Sequence, residues 1–581
     1  MKKIISLFCF LCIIACSEKP EDKEKDFQTF FETSNGLETP TYTEVIDFYI
    51  KLAKEFPQIN VLTIGETDSG LPLHLVTYNP DGEFNFNKLE DKTVILINNG
   101  IHPGESDGID ATMLLFRDLV VNKIGAPRNT VLTTIPIYNI GGALNRNSTS
   151  RTNQNGPKEY GFRGNAQNYD LNRDFIKNDT KNAKTFAEIF HLTKPDIFID
   201  NHVSNGADYQ YTLTHLFTQH NKLGGDLGNY LHTEMMPTLE NSLEEINWPI
   251  TPYVNVFNSV PEKGFSQFMD YPRYSTGYTT LWNTLGLMVE THMLKPYKKR
   301  VMGTYYLMQK MIDISEKDGK KIKELRANAF AADQEKITYP VKFKIDTTKT
   351  STLNFKGYEA DYIESEVTGL TRLKYDRSKP FTKEVTYSNY MTPTNFVTVP
   401  EAYIIPKGWK KVIPHLDANK IEYTQLEKDT IITVQTYRIE DYDTRKSAYE
   451  GHYPHSNTTV TTSNQSVQFY KGDYYVPTNQ RGIRYMLETL EPEAVDSFFN
   501  WNFFDTILQQ KEGFSPYVFE DVAAKLLKNN PKLKAEFDTI KSTDENFAKN
   551  WYAQLNWLHK KSEHYEKAHM QYPIYKLMKN N

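Results

Sequence analysis

The chain has 581 residues, a length that indicates two or more domains and leaves ample material for a buried core. Its net charge is −6 at pH 7 and it has no block of basic residues, which argues against a nucleic-acid partner. All three cysteines fall within the first sixteen residues, so the rest of the chain can form neither a disulfide nor a metal site built on thiolates.

The N-terminal stretch MKKIISLFCFLCIIAC combines two lysines with a short apolar run that ends at a small residue. The run from Ile4 to Ala15 is too short to span a bilayer and has the layout of a secretory signal. Its end, Ile13-Ile14-Ala15-Cys16, resembles a bacterial lipobox. We therefore predict a lipoprotein signal peptide over residues 1–16 and lipidation of Cys16; a plain signal peptide cleaved near Ala15 is the alternative.

This interpretation places the protein in the bacterial cell envelope, as an outer-membrane lipoprotein that is periplasmic or surface-exposed. Its contact with the membrane would be through the lipid anchor only. The next segment, SEKPEDKEKD (Ser17 to Asp26), is charged and has no apolar residues, as is typical of a disordered tether. We predict a flexible tether over residues 17–40.

From residue 41 to residue 335, helical patterns alternate with apolar strand patterns. The predicted elements, in chain order, are a helix in YTEVIDFYIKLAKEFP, strands in NVLTIG, PLHLVTY and TVILINN, a helix in DATMLLFRDLV, strands in VLTTIPIYN, DIFID and LGLMVE, and a helix from Pro296 to about Glu335. This alternation predicts an α/β domain with a mixed, mostly parallel sheet flanked by helices. Residues 336–581 form a second region, first β-rich and then helical in its pattern.

Four polar residues with metal or acid–base chemistry follow or end predicted strands. His102 and Glu105 come after TVILINN, His202 ends DIFIDNH, and Glu290 ends LGLMVE. Because ligands bind beside the carboxyl ends of strands in open α/β sheets, we expect these side chains to converge. Two histidines and one carboxylate are the protein ligands of a catalytic zinc that keeps one position for water, and a further glutamate could take the proton of that water.

A loop between these strands, GFRGNAQNYDLNRDF, carries a second group of polar residues. Asn172 and Arg173 place an amide beside a guanidinium, as capture of a carboxylate requires. Asp170 lies two residues before this pair and Arg163 nine residues before Asn172. A second arginine could stabilise the oxyanion of a tetrahedral intermediate.

Taken in this order, the motifs closely resemble those of the zinc metallocarboxypeptidases, the carboxypeptidase A-like or funnelin family, over the segment 41–335. The resemblance implies one zinc per chain held by His102, Glu105 and His202, a general base at Glu290, a carboxylate-binding pair at Asn172 and Arg173, and Asp170 as the acceptor that orients the first zinc histidine. It also implies an oxyanion arginine and a substrate-capping tyrosine. Arg163 fits the first role, with Arg151 as its rival; Tyr274 fits the second, with Tyr278 as its rival.

A different chemistry can be read from the stretch INNGIHPGESDGID. Its Gly104-Glu105-Ser106-Asp107-Gly108 fits the G-x-S-x-G pattern of a serine nucleophile. That pattern needs the serine on a sharp turn directly after the strand, whereas here Gly100 to Glu105 intervene. We interpret Ser106 as the residue that starts the following helix.

The function predicted from these observations is hydrolysis of the C-terminal bond of a peptide by a zinc-activated water. Two substrate classes fit, peptides scavenged at the cell surface and peptidoglycan stem peptides, and scavenging is preferred because the large second region suggests an exposed multi-domain enzyme. A peptide-binding lipoprotein without turnover is the alternative of another class.

Overall fold

The computed structural model describes residues 24–579 of the chain. The chain divides into two compact units. The first contains residues up to Asp333 together with Phe343–Pro393, and the second contains Gln334–Lys342 and the chain from Thr394 onward. The predicted signal peptide and the predicted lipid on Cys16 lie outside the described residues. Within residues 24–579, no helix is long and apolar enough to cross a membrane.

One eight-stranded sheet forms the centre of the first unit. The strands up to residue 292 are β1 (Ile59–Ile64), β2 (Leu73–Tyr78), β3 (Thr93–Asn98), β4 (Thr130–Ile135), β5 (Ile197–Ser204), β6 (Leu213–Phe217), β7 (Ile250–Pro252), β8 (Phe265–Ser266) and β9 (Leu285–His292). The sheet has the order β1-β2-β4-β3-β5-β9-β6-β7, and four of its seven strand pairings are parallel. The predicted fold class, a mixed and mostly parallel sheet with flanking helices, is confirmed.

The helices of the first unit alternate with these strands along the chain. Those that begin in this unit are α1 (Phe30–Thr33), α2 (Tyr42–Glu55), α3 (Asp107–Val120), α4 (Ile140–Leu144), α5 (Lys181–Thr193), α6 (His220–Leu223), α7 (Gly225–Tyr230), α8 (Met236–Glu245), α9 (Ser275–Thr280) and α10 (Tyr297–Glu335). Shorter turns, of 3-10 or π type, lie at Phe86–Lys88, Leu171–Arg173, Leu231–Met235 and Pro261–Lys263.

Apolar packing between the sheet and these helices holds the unit together. Every residue of β3 and β5 is buried, as expected of parallel strands covered on both faces. Ile95 of β3 and Ile199 of β5 share one hydrophobic cluster with Leu115 of α3 and Leu307 of α10. Burial of each such side chain contributes about 1.5–3 kcal/mol.

Helix α2 illustrates how local sequence sets an element's bounds. The Thr41 side chain accepts a hydrogen bond from the backbone amide of Glu44, and the Glu44 carboxylate accepts one from the amide of Thr41. This reciprocal capping box satisfies two amides that the first turn would otherwise leave unpaired. The helix stops before Pro57, which cannot continue it.

The structure differs from the predicted tether within residues 24–40. Phe27 packs against Phe56 with ring centroids 5.5 Å apart, and Phe31 packs against Tyr297 at 5.8 Å. Both phenylalanines are buried in the main hydrophobic cluster of the first unit. The charged composition that predicted a tether ends near Asp26, and the aromatic residues after it give this part of the chain an apolar surface to bury.

A long β-hairpin follows the α/β part of the first unit. The strands of this region are β10 (Thr338–Ile345), β11 (Ser351–Glu364), β12 (Thr371–Ser388) and β13 (Met391–Thr398). Strands β11 and β12 pair antiparallel, and the end of β12 adds β8 as a parallel partner. The boundaries between the two units fall inside α10, β10 and β13, so a division at residue 336 stays a prediction.

The second unit contains a six-stranded sheet and a helical segment after it. Its strands are β14 (Ala402–Ile405), β15 (Thr424–Gln425), β16 (Thr430–Thr444), β17 (His455–Phe469), β18 (Tyr474–Pro477) and β19 (Tyr575–Leu577). Its helices are α11 (Ile413–Ala418), α12 (Ile483–Leu490), α13 (Pro516–Asn529), α14 (Pro531–Thr543), α15 (Glu545–Ala548) and α16 (Trp551–Lys560), with 3-10 turns at Lys407–Val412 and Asp505–Leu508. This agrees with the β-rich and then helical pattern of the sequence.

Candidate metal centre and substrate cavity

The loop between β3 and α3 carries His102 and Glu105. It is fixed at its far end by Asp107, the first residue of α3, whose carboxylate lies 2.9 Å from the guanidinium of Arg300 on α10. Both partners of this ion pair are buried. Because β3 holds one end of this loop and the Asp107–Arg300 ion pair holds the other, its two side chains keep a defined position.

His202 and Glu290 are brought together by the register of two parallel strands. Strand β5 extends four residues beyond the predicted strand DIFID and β9 extends two beyond LGLMVE, because their hydrogen-bonded pairing continues as far as Ser204 and His292. Within this pairing His202 is directly opposite Glu290. Residues paired in this way point to the same face of a sheet, so both side chains face the same region.

His102, Glu105 and His202 form a cluster that could hold a metal ion. One ligand atom from each lies within 4.8 Å of the other two. The Nδ1 atoms of the two histidines lie 3.1 Å from the two carboxylate oxygens of Glu105, one histidine at each oxygen. All three side chains are buried. Two imidazole nitrogens and one carboxylate are a donor set that suits zinc.

The outer nitrogen of each histidine is bound to an aspartate. Nε2 of His102 lies 2.9 Å from Asp170, and Nε2 of His202 lies 2.8 Å from Asp200. Such carboxylates fix the tautomer that leaves Nδ1 free to bind a metal. No sequence motif pointed to Asp200, although its position two residues before His202 on a strand places both side chains on one face of the sheet.

Two arginines contact carboxylates of this site, one at Asp170 and one at Glu105. Arg163 contacts Asp170 through Nε at 2.9 Å and Nη2 at 2.8 Å, whereas Nη2 of Arg151 lies 2.8 Å from Glu105. Burial alone would raise the pKa of the Glu105 carboxyl, but His102 and Arg151 more than offset it, and the pKa lies well below its usual range. The Glu105 carboxylate therefore stays ionised, as a metal ligand must.

Glu290 has a different environment. Burial raises the pKa of its carboxyl to about 8, the positive charge of His202 opposes this rise, and the negative charge of Glu105 adds to it. Arg163 also lowers the pKa of Glu290, which shows that this guanidinium lies within electrostatic reach of the carboxyl. A carboxyl with a pKa near neutrality can both accept and release a proton.

Asn172 and Arg173 lie in a 3-10 turn that begins at Asp170. The Asp170 side chain caps this turn by accepting a hydrogen bond from the Asn172 amide at 2.9 Å. The Arg173 guanidinium stacks on the ring of Tyr274 at 4.6 Å, so the turn is tied to the start of α9. Tyr278 lies instead in the core, where its ring packs against Phe190 at 5.5 Å.

A cavity of about 580 Å³ connects the two groups. Among the predicted site residues, those that line it are His102, Glu105, Arg151, Arg163, Asn172, Arg173, His202, Tyr274 and Glu290. Asp170 contacts four of these residues, namely His102, Arg163, Asn172 and Arg173. The cavity therefore brings the cluster that could hold a metal ion, Glu290 and the Asn172–Arg173 pair into one space.

Comparison with known families agrees with this arrangement. Residues 45–198 match the family model described as zinc carboxypeptidase. The chain contains a zinc carboxypeptidase domain. The matched segment includes His102, Glu105, Asn172 and Arg173, whereas His202 and Glu290 lie beyond it on the same sheet.

Three proteins that resemble this chain share little sequence identity with it. Carboxypeptidase 2 of Trichophyton rubrum is 20% identical over 502 residues, which cover 80% of this chain and 84% of the relative. Among solved structures, a metallo-carboxypeptidase from Burkholderia cenocepacia is 16% identical and covers 47% of this chain and 68% of its own, with a TM-score of 0.35. Carboxypeptidase A from Helicoverpa armigera is 14% identical and covers 50% of this chain and 74% of its own, also with a TM-score of 0.35.

The glycines of the G-x-S-x-G stretch have packing roles in the carboxypeptidase domain. A Cβ at Gly108 would lie 2.3 Å from the Asn201 side chain, next to His202, and a Cβ at Gly104 would lie 2.5 Å from the Arg151 side chain. The Ser106 hydroxyl donates to the carbonyl of Pro103 at 3.2 Å. Ser106 occupies the N-cap position of α3 but makes no capping hydrogen bond, so it starts the helix by position only.

Proposed function

We propose that this protein is a zinc-dependent carboxypeptidase that removes the C-terminal residue of peptides. The observation that carries the proposal is the single cavity lined by the metal-binding cluster, by Glu290 and by the Asn172–Arg173 pair. An endopeptidase would not need a half-buried guanidinium and a buried amide beside its catalytic groups. A non-catalytic binding protein would not need a carboxyl poised to exchange protons.

His102, Glu105 and His202 would hold the zinc through the two Nδ1 atoms and the carboxylate that already face one another. When bound, zinc lowers the pKa of water and polarises a carbonyl oxygen. The protein's part is to keep both histidines in the correct tautomer, which Asp170 and Asp200 do through Nε2.

Glu290 would act as the general base. Its carboxylate accepts a proton from the attacking water and then delivers that proton to the nitrogen of the leaving residue. His202 lies directly opposite Glu290 in the strand register, so the base is positioned by the sheet itself. A side chain on a hydrogen-bonded strand keeps its position better than one on a loop.

Arg163 would stabilise the negative charge that develops on the carbonyl oxygen. Its Nε and Nη2 are held by Asp170, whereas Nη1 remains 3.8 Å from Glu105 on the cavity side. Its charge also reaches Glu290, as the pKa of that carboxyl shows. Arg151 is the second arginine of the cavity, but its side chain is bound to Glu105 and to Gln154.

Asn172 and Arg173 would bind the free carboxylate of the substrate. A guanidinium and an amide side by side match the two oxygens of a carboxylate. Tyr274, stacked on Arg173, would close over the bound residue. This pair makes the enzyme specific for a chain end, because a peptide amide in the same place would not supply the carboxylate that a guanidinium and an amide side by side can bind.

The test uses residues 17–581, elemental analysis and two versions of one peptide, with either a free or an amidated C-terminus. We expect one zinc per chain, release of the last residue from the free acid only, and loss of activity without loss of zinc in Glu290→Gln. Glu324→Gln, which changes an exposed glutamate on α10, is the matched control and should retain activity. Zinc without turnover of any peptide would direct the search to peptidoglycan stem peptides or to a binding role. Absence of zinc, with activity abolished by Ser106→Ala, would overturn the proposal.

We also propose that the enzyme is a cell-envelope lipoprotein anchored through Cys16. The support is the lipobox-like sequence Ile13-Ile14-Ala15-Cys16 at the end of a short apolar run. Incorporation of labelled palmitate in cells should occur in the full chain and be lost in Cys16→Ser. Equal labelling of both proteins would contradict the proposal.

A further inference from the structure

Two loop segments form walls of the candidate cavity outside the candidate metal centre. The first wall segment, residues 204–211, begins at the end of β5 and contributes Asn205 to the lining. The second wall segment, residues 253–259, follows β7 and contributes Tyr253. Neither segment has a role in the proposed hydrolysis. Their positions nevertheless set the shape of the space in which a peptide would bind.

The two wall segments are joined to each other. The Ala207 amide donates a hydrogen bond to the Val256 carbonyl at 3.1 Å. A Cβ at Gly206, whose φ is +117°, would lie 2.8 Å from the same carbonyl oxygen, so this close approach requires glycine. The Ala207 carbonyl accepts a hydrogen bond at 2.7 Å from Nε2 of His292, which lies two residues after Glu290 on β9. A shift of the first segment would therefore also move the second.

The β11–β12 hairpin binds the first wall segment through hydrogen bonds. The side-chain amide of Gln210 donates to the carbonyls of Gly357 on β11 and Phe381 on β12, each at 2.8 Å. The Tyr211 hydroxyl donates to the carbonyl of Asn354 at 3.2 Å. The first segment is thus fixed to the backbone of both strands of the hairpin.

Apolar packing joins the hairpin to both wall segments. Tyr209 of the first segment and Val256 of the second share one buried hydrophobic cluster with Phe355 of β11 and Val385 of β12. The hairpin lies beyond residue 335, where the resemblance to the carboxypeptidase family ends, so that resemblance gives it no role. Its contacts place it in the same packed body as the walls of the cavity.

Two side chains of β12 make polar contacts with the wall segments that single substitutions can remove. Nε of Arg377 donates to the carboxylate of Asp208 at 2.6 Å, and Asp208 is only 7% exposed. The Tyr375 hydroxyl donates to the Ser259 carbonyl at 2.9 Å. Hydrogen bonds between two charged groups are stronger than those between neutral groups. Because the Arg377 side chain is 56% exposed, its replacement leaves the hydrophobic cluster intact.

We propose that the β11–β12 hairpin positions the walls of the substrate cavity and that Arg377 is a positioning residue for peptide binding. This inference rests on the proposed carboxypeptidase function. Arg377 does not belong to the described residues that line the cavity, so it acts through Asp208 and the first wall segment. The shape of the cavity then depends on a part of the chain outside the segment 41–335.

The test measures kcat and KM of the zinc-loaded enzyme for one peptide with a free C-terminus. Arg377→Gln should raise KM about 10-fold, the loss expected for a hydrogen bond to a charged group. Its kcat should change less than about twofold, because the groups that act on the scissile bond stay in place. Arg377→Lys keeps the positive charge and should recover part of the binding. Unchanged KM in Arg377→Gln would overturn the proposal.

Lys379→Gln is the matched control. Lys379 lies on the same strand as Arg377, is 62% exposed, and pairs with Asp376 of that strand rather than with a wall segment. This variant should keep the KM of the wild type. An equal rise of KM in Lys379→Gln and Arg377→Gln would mean that the positive charge of the hairpin attracts the peptide, and would overturn the positioning role.

Asp208→Asn tests whether Arg377 acts through this partner. It should raise KM as Arg377→Gln does, and the double variant should bind no more weakly than either single variant, because both substitutions remove the same contact. If the two effects on KM add, Arg377 acts by another route and the proposal is wrong.

Hydrogen exchange measured by mass spectrometry gives a readout that does not need turnover. The amides of residues 204–211 and 253–259 should exchange faster in Arg377→Gln than in the wild type, and those in Lys379→Gln should not. Zinc content and the midpoint of urea unfolding should stay those of the wild type; a fall in either would assign Arg377 a general structural role and overturn the proposal. Peptide cleavage with the same KM in all variants would refute this inference alone, whereas a wild type that cleaves no peptide would refute the proposed function.

Discussion

Asp200 and His202 lie two residues apart on β5, and Nε2 of the histidine donates to the aspartate at 2.8 Å. The same carboxylate accepts a hydrogen bond from the hydroxyl of Ser275 at the start of α9. It accepts another, at 3.3 Å, from the side-chain amide of Asn98 on β3. One buried side chain therefore joins His202 of the candidate metal centre to the neighbouring strand β3 and to helix α9. Its effect on metal binding should exceed that of an ordinary buried aspartate.

Asp200→Asn should weaken zinc binding about 10- to 100-fold, because an amide no longer holds His202 in the tautomer that frees Nδ1. Competition with a coloured chelator measures the affinity, and circular dichroism checks that the variant folds. The control is Asp333→Asn, since Asp333 is also buried and accepts from the amide of Asn283 at 2.9 Å. Unchanged zinc affinity in Asp200→Asn would show that the aspartate has only a structural role.

Most of the metal-binding cluster could be predicted because its residues follow or end strands whose apolar runs are visible in the sequence. His102 and Glu105 follow a fully buried strand, and the parallel register of β5 and β9 then places His202 opposite Glu290. Burial of whole strands fixes such a register. One continuous sheet therefore explains why the predicted side chains meet at one place.

Other features depend on contacts between segments far apart in the chain. Asp270 lines the cavity, and Gly277 of α9 packs against its backbone carbonyl, a contact that no local pattern records. Phe27 and Phe31 follow a charged stretch and were predicted to be part of a tether, yet they are buried against Phe56 and Tyr297. In each case the partner is remote in sequence.

Substitutions of the two cavity arginines, Arg163 and Arg151, should affect different properties of the enzyme. Arg163→Gln should lower kcat about 10²- to 10³-fold, as expected for loss of an oxyanion donor, with a smaller change in KM and full zinc content. Arg151→Gln should act mainly on zinc affinity, because Arg151 is bound to the ligand Glu105. Steady-state kinetics and metal analysis of both variants decide the assignment. A larger loss of kcat in zinc-loaded Arg151→Gln would exchange the two roles.

Substitution of Tyr274 should affect substrate binding, whereas substitution of Tyr278 should affect the stability of the fold. Tyr274→Ala removes the ring that stacks on Arg173 and should raise KM about fivefold, or ~1 kcal/mol, for peptides with a free C-terminus. Tyr274→Phe keeps the ring and should retain that binding. Tyr278→Ala should instead destabilise the fold by about 3–5 kcal/mol, since the ring is fully buried among other aromatic rings. Kinetics and urea unfolding of the three variants test this; a fivefold KM effect in Tyr274→Phe would assign the binding to the hydroxyl.

Asp110 gives the first unit a pH-dependent stability away from the cavity. It lies fully buried on α3, where it accepts a hydrogen bond from the hydroxyl of Tyr297. Burial raises the pKa of its carboxyl to about 7, the hydrogen bond from Tyr297 opposes this rise, and the negative charge of Asp107 adds to it. The folded protein therefore holds a proton at this position more tightly than the unfolded chain, in which an aspartate has a pKa of about 3.9.

Because the folded-state pKa is the higher one, this group's contribution to stability is fully present below about pH 4 and is lost as the pH rises to about 7. The loss should be on the order of a few kcal/mol. Asp110→Asn keeps an oxygen for Tyr297 but cannot ionise, so its free energy of unfolding should fall less than that of the wild type between pH 5 and pH 8. Urea unfolding at four pH values measures this difference. Asp313→Asn, whose carboxylate is 70% exposed, should follow the wild type. Parallel curves for the wild type and Asp110→Asn would show that Asp110 is ionised throughout this range and that its surroundings already compensate the charge.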